Sequence, residues 1–286
     1  MTAPIRNPAV PNLPLAPVDY EKQYQEQLNN VLRLYFNQLN NLNSVLVGAT
    51  GGAYIRFPNG AFHQDGVTTL AANITNTSTT PITVVSTAGL LSSGAILIDN
   101  ELIGYTGTTP TSFTGITRGV YGSTKSSHTA GAYVSEAQPV PSSTTALAIA
   151  MTSVDVSNGV GLNPTDNTQI IHSVAGYYNV QFSVQLLNAT SSIDNATFWF
   201  MQNGVDIANS AGIVSVPSIH GGVFGAAIVS WNIILPLNAG DYIQLMMASD
   251  SGNTVAATYP PGTAPVHPVS PSVILTSTFV SALYLW

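Results

Sequence analysis

Five histidines, at positions 63, 128, 172, 220 and 267, are the residues of this chain best suited to proton transfer or metal ligation. No two of them stand four apart on a helical stretch, and the chain contains no cysteine, so the ligand spacings of dedicated zinc sites are missing. A threefold axis would be the one economical route to an ion, because a single His or Asp there counts three times. No G-x-S-x-G nucleophile motif occurs. Glycoside hydrolysis needs two carboxylates on facing elements. The candidates Asp194, Asp206, Asp241 and Asp250 each sit in a turn sequence, where an aspartate ordinarily holds its own turn. Gly221–Gly225 is not followed by a helical pattern, so it does not read as a phosphate cradle. The expectation is a protein without enzymatic activity, cofactor or metal.

What remains is contact chemistry. Tyr259, Pro261 and His267 lie in a long polar stretch before the last strand pattern, and loops on rigid scaffolds carry variable contacts. They form a candidate outer contact loop. Charge limits the partner. Only 7% of residues are charged, and the last basic residue is Lys125, so residues 126–286 carry no Lys or Arg at all. A half-chain without cations cannot neutralise phosphates, which excludes nucleic acid as its partner. No apolar run reaches the roughly 18 residues that a membrane span needs.

The elements that would position such a loop follow in chain order. Residues 1–18 hold prolines at 4, 8, 11, 14 and 17, which exclude a helix and favour an extended arm. Ile5, Val10, Leu13 and Leu15 give that arm apolar pegs, and the expectation is an anchor that docks on a partner. Residues 19–48 read as the one helix. Tyr24, Leu28, Val31, Tyr35, Gln38, Leu42 and Val45 recur at alternating spacings of four and three, a coiled-coil heptad with Gln38 as the polar member. Leu32, Leu39 and Leu46 form a second row beside it, so the stripe suits three strands better than two. Asp19 is the expected N-cap and Gly48 the expected C-cap. Residues 49–68 are a collar with a turn at Pro58-Asn59-Gly60.

Residues 69–138 read as a small β domain whose clearest unit is a hairpin, Ala95–Ile98 and Leu102–Tyr105 around Asp99-Asn100-Glu101. Pro139–Thr145 is a linker. Residues 139–286 consist of short strands separated by turn signals, as in a sandwich. Tyr178, Val180, Phe182 and Val184 alternate onto one face, and Asn203-Gly204 is a hairpin turn.

Three stretches of the small domain, IDNELIGYT, FTGITRGVYGS and HTAGAYV, together resemble a β module that recurs in bacteriophage virion proteins. Further on, AGYYNVQFSVQ, FWFMQNG, LPLNAGDYIQLMM and STFVSALYLW come in the order seen in the globular heads of complement C1q and tumour-necrosis-factor-like proteins. That resemblance implies a C-terminal jelly-roll head that assembles as a trimer. No acidic cluster matches a calcium site of that family, so no metal is carried over. The text from Asn12 to Leu39 resembles the start of phage surface proteins carrying such heads. The combined expectation is a mainly β homotrimer: arm, coiled-coil helix, small β domain and jelly-roll β-sandwich. It would be a capsid decoration or short head fibre at the virion surface, bound to other virion proteins through residues 1–18. The alternative is a short tail fibre or receptor-binding protein contacting host-surface glycans.

Overall fold

The computed structural model describes residues 11–15, 18–19, 21–47, 57–142, 144–263 and 265–283, with the side chains of all but 42–47. The chain is mainly β and divides into two compact units, residues 1–56 and 57–286.

In the first unit a single helix spans Lys22–Val47. It starts later than the sequence suggests: the Gln25 N–H bonds the Glu21 carbonyl, so Glu21 and not Asp19 sits at the cap position. Tyr24, Leu28, Val31, Leu32, Tyr35 and Leu39 are half-buried while the positions between them, Gln38 included, are mostly exposed. The heptad stripe therefore exists as a face. Leu42 and Val45 lie outside the described side chains, as do Ile5 and Val10 of the arm and the expected cap Gly48. Leu13 and Leu15 are described and exposed; Asn12, Leu13 and Pro14 share a shallow groove with Gln27, Asn30 and Val31 of the helix.

The second unit is built from curled antiparallel sheets. The larger runs in the order Ser153–Asn158, Asn59–Gln64, Val273–Ser281, Gly176–Asn188, Thr254–Ala257, Tyr133–Pro139, Gly94–Ile98, Glu101–Tyr105. Two further strands join it sideways: Gly225–Leu237 pairs with Gly176–Asn188 along thirteen residues, and Val67–Thr69 pairs with Tyr133–Pro139. A second sheet of seven strands is centred on Tyr242–Ser249 and Asp194–Gln202. The two sheets pack face to face. Alternation in Gly176–Asn188 turns Tyr178, Val180, Phe182 and Val184 inward, as the sequence predicts, where Phe182 meets Phe198 and Phe200 of the opposite sheet. At one border Trp231 packs edge-on against Phe182, with ring centroids 4.4 Å apart. Gly212 lies against the indole, and a Cβ there would come within 2.7 Å of it.

A separate core of Leu70, Ile82, Ile96, Ile98, Ile103, Phe113 and neighbours fills the module between residues 67 and 139. The expected hairpin is present: Ile98 pairs with Glu101, and Asp99 takes the left-handed backbone (φ 51°) that a two-residue turn demands. The Asn203-Gly204 turn is built the same way, with both φ positive. Two local expectations change. Asn59 and Gly60 open a strand rather than a turn, because Gly60 leaves room for the Phe62 ring, which a Cβ would strike at 2.6 Å. Pro139 is paired with Val255, and the Val140 N–H bonds the Thr254 carbonyl, so the segment read as a linker begins as a sheet strand.

Candidate functional site

His172 lies in the sandwich core, edge-on to Tyr178, with Nε2 2.9 Å from the Ser277 hydroxyl. Burial drives its pKa down to about 4, so it stands neutral, and its Nδ1 has no partner. Both His172 and Ser277 are fully buried, so the pair has no route to a substrate. His63 lies between Asp65 (3.2 Å) and Asp155 (3.0 Å). Among the described residues no group of three or more His, Asp or Glu is arranged to hold a metal ion.

The four aspartates read as turn residues are all engaged within the fold, but Asp194 and Asp206 lie in strands, and Asp194 and Asp250 bond residues more than fifty positions away. Asp241 accepts from the Asn238 N–H and from the Gln202 and Asn203 amides. Its partial burial pushes its carboxyl up, but these hydrogen bonds outweigh that and hold it below the usual value. Asp194 is balanced the same way: burial opposes bonds from Thr254, Ser251 and Ser249, and the bonds win. Asp206 accepts from the Trp199 indole, and Asp250 from the Asn195 amide.

A polar cluster that sequence reasoning did not assemble sits in the module. Arg118 is buried and forks onto Glu101, with Nε to Oε1 at 2.8 Å and Nη2 to Oε2 at 2.7 Å. His128 bridges the same Glu101 (2.9 Å) and Asp99 (2.7 Å). The remaining guanidinium hydrogens reach the carbonyls of Thr75 and Ser126, and the Glu101 carboxylate also accepts the N–H of Gly119 and Ser126. Burial raises the Glu101 carboxyl, and the bonds from Arg118, Ser126 and His128 more than reverse this, leaving it low. The members come from the three stretches IDNEL, TRG and HTAG. A sequence signal existed: a charged residue inside each short glycine-flanked motif, in a chain where charge is scarce. The cluster is closed on itself and pins three loops together.

Close by, Glu136 is wholly buried on the Tyr133–Pro139 strand, and desolvation lifts its pKa to about 8. Its oxygens lie 3.1 and 3.2 Å from the Tyr105 hydroxyl, and the Leu91 N–H donates to it. The Tyr105 hydroxyl also lies 3.0 Å from the Leu91 carbonyl. The Tyr105 hydroxyl is thus the donor shared between the Glu136 carboxyl and the Leu91 carbonyl.

Part of the stretch expected to form a contact loop lines an open groove on the sandwich. The groove has a volume of about 570 Å³ and is bounded by Tyr259 and His267–Ser270 on one side and by Gln185 and Ala226–Ile228 on the other. Tyr259 and His267 line it; Pro261 is half-buried nearby and does not. Gln185 and Ser270 were not singled out from the sequence, because an outward Gln in an alternating strand looks like ordinary surface. The groove is held by the backbone. Tyr259 and Ser270 exchange both of their backbone hydrogen bonds, and the Gln185 N–H bonds the Ser272 carbonyl. A smaller trough of about 450 Å³ lies further along the same sheet face, over Gln181, Ser183, Ser230, Asn232, Ile274 and Thr276.

Comparison of the chain with protein-family models and with curated proteins finds no match.

Proposed function

We propose that this chain is a non-enzymatic structural protein of a phage virion surface that assembles as a homotrimer through its jelly-roll sandwich and its helix. The arm of residues 1–18 attaches it to other virion proteins as a capsid decoration or short head fibre. The observation that carries the self-association is one sheet face. The strands Gly225–Leu237, Gly176–Asn188 and Val273–Ser281 lie side by side and contain no charged residue. Beyond the Ala226–Ile228 end of the first strand, their outward rows mix Ser, Asn, Gln and Thr with exposed Ile234, Ile274 and Val280.

The thirteen-residue strand Gly225–Leu237 pairs on one side only among the described residues. A long edge without Lys, Asp or Glu invites pairing and aggregation unless another chain covers it. An uncharged face with exposed isoleucines suits an interface core, where charged residues are depleted. The helix offers a second, half-buried stripe in Tyr24, Leu28, Val31 and Tyr35. Its double row favours three strands, and the trimer implied by the resemblance to C1q-like heads agrees with that count. The virion assignment rests on the resemblance of the module and of the N-terminal stretch.

A second reading, a short tail fibre or receptor-binding protein, draws support from the groove beside Tyr259, which a purely structural knob does not require. The deciding experiment has two parts. The mass of the full chain in solution is expected to be three times its 29.9 kDa, and a monomer at micromolar concentration would reject self-association. A cryo-EM map of the intact particle is expected to show a trimeric knob repeated over the capsid lattice. A knob found only at the tail would replace decoration with the fibre reading.

A further inference from the structure

We infer that the groove between the Tyr259–Ser270 loop and the start of the Gly225–Leu237 strand binds a neutral saccharide. This deepens the contact-protein reading and is independent of where the chain attaches.

The first argument is charge. No Lys, Arg, Asp or Glu lines the groove, so neither an acidic glycan nor a phosphate finds a counter-ion there. The second is the supply of prearranged polar atoms. Both Gln185 amide hydrogens are spent inside the protein, on the Ser270 hydroxyl (2.7 Å) and the Pro271 carbonyl (2.8 Å). This fixes the amide plane and leaves the Gln185 carbonyl oxygen as an acceptor. The His267 imidazole stands at the groove with its Nδ1 2.7 Å from the Pro268 carbonyl, which fixes the ring's orientation. The Tyr259 ring is half-buried against the cluster of Val255, Ala257 and Leu187, and its hydroxyl has no hydrogen-bond partner among the described residues. Burial raises its pKa, so it remains a neutral donor.

The groove thus pairs one fixed acceptor, an oriented imidazole and one hydroxyl with apolar surface from Ile228 and Pro268. A ligand that matches must be uncharged, rich in hydroxyl donors and partly apolar on its C–H faces. An uncharged sugar has this chemistry. The volume falls within the roughly 300–1,000 Å³ of small-ligand sites. Gly262 is part of the design: a Cβ there would lie 2.2 Å from the His267 Nε2, so only glycine lets the imidazole rest where it does. A Cβ there would also come within 2.8 Å of the Pro265 carbonyl oxygen, so an alanine at this position displaces the imidazole together with the adjoining loop backbone.

The test uses the full chain. Saturation-transfer NMR and calorimetry are run with isomaltohexaose and a galacto-oligosaccharide as neutral probes, and with an oligogalacturonate as the acidic control. Binding of a neutral probe with a Kd at or below about 10 mM is expected, with the acidic oligomer at least roughly tenfold weaker. Tyr259→Phe, which keeps the ring and removes one hydroxyl, should weaken binding about five- to tenfold. Gly262→Ala should weaken it comparably by displacing His267. Absence of binding by both neutral probes, equal binding of the acidic one, or binding that ignores both variants would overturn the assignment. The mass in solution is measured on the same samples. A trimer that binds no sugar rejects the groove alone, whereas sugar binding by a monomer rejects the assembly reading alone.

Discussion

In the module between residues 67 and 139, a guanidinium, an imidazole and the Glu101 carboxylate share one buried cluster with the exposed Asp99 at its rim, and a second buried acid, Glu136, lies two strands away. In the sandwich beyond it there is no Lys or Arg to pair with anything. Its fully buried histidine is neutral and lacks one partner, and its aspartates are engaged within the fold. The two regions share a sheet, through Tyr133–Pro139 and Thr254–Ala257, yet they are held differently. Size explains the contrast. The module core rests on ten buried side chains and three irregular loops, so it needs specific polar ties. The sandwich core is more than twice as large, and two groups of rings pack against it or within it: His172, Tyr178 and Phe279, and Phe182 with Phe198, Phe200 and Trp231. Burial there is sufficient without ions.

The largest effect should come from cutting the module's tie. Arg118→Met leaves Glu101 buried without its cation and should cost on the order of 3–5 kcal/mol by chemical denaturation. Hydrogen exchange should rise first at Gly119 and Ser126, whose amides Glu101 holds, and not in Gly176–Asn188. Adding Glu101→Met to that variant should recover part of the loss. A double variant as unstable as the single one would mean the cluster does more than neutralise itself.

The next effect sets the two regions against each other by pH. Folded Glu136 keeps its proton up to about pH 8, while the unfolded chain releases it near 4.5, so this group lowers stability as pH rises through that window. Folded His172 stays neutral down to about pH 4, while the unfolded chain protonates near 6.5, so this group raises stability as pH rises from 4 to 6.5. The two slopes oppose each other below pH 6.5, and above it only the Glu136 slope remains. Denaturation midpoints should therefore fall between pH 6.5 and 8. In Glu136→Gln that fall should vanish. If it persists unchanged, Glu136 is not its source.

The smallest effect lies in the matched turns. Asn203 holds a left-handed backbone (φ 52°) and accepts the Tyr242 N–H, so Asn203→Ala should cost about 1 kcal/mol in thermal melts. Asp99→Ala, at the equivalent turn of the module, also strips His128 of a carboxylate and should cost more. Equal costs would mean the His128–Asp99 contact adds nothing.

Local features of the fold could be read from the sequence. Alternation placed Tyr178, Val180, Phe182 and Val184 inside, and the Asp99-Asn100 and Asn203-Gly204 turns announced their hairpins, because each signal lies within a few residues. The pairing of Tyr133–Pro139 with Thr254–Ala257 could not be read, nor could the entry of Asn59–Gln64 beside Val273–Ser281. Period-two patterns say which face a residue takes, and nothing about which distant strand sits beside it. The groove follows the same rule. Tyr259 and His267 stood out as ring-bearing residues in a long loop. Gln185 became visible only when the fold brought it to Ser270, eighty-five positions away.

The pairing of Gln64 with Val273 also has a temporal meaning. On the ribosome, the strand Asn59–Gln64 emerges early and must wait for its neighbour while more than two hundred residues are added. At about 5–20 residues per second, that delay is roughly ten to forty seconds. Gly176–Asn188 likewise lacks one flank until Val273–Ser281 arrives. A nascent chain that stops short of Val273–Ser281 has no closed sandwich to show, so synthesis through that strand acts as a checkpoint on which chains can fold.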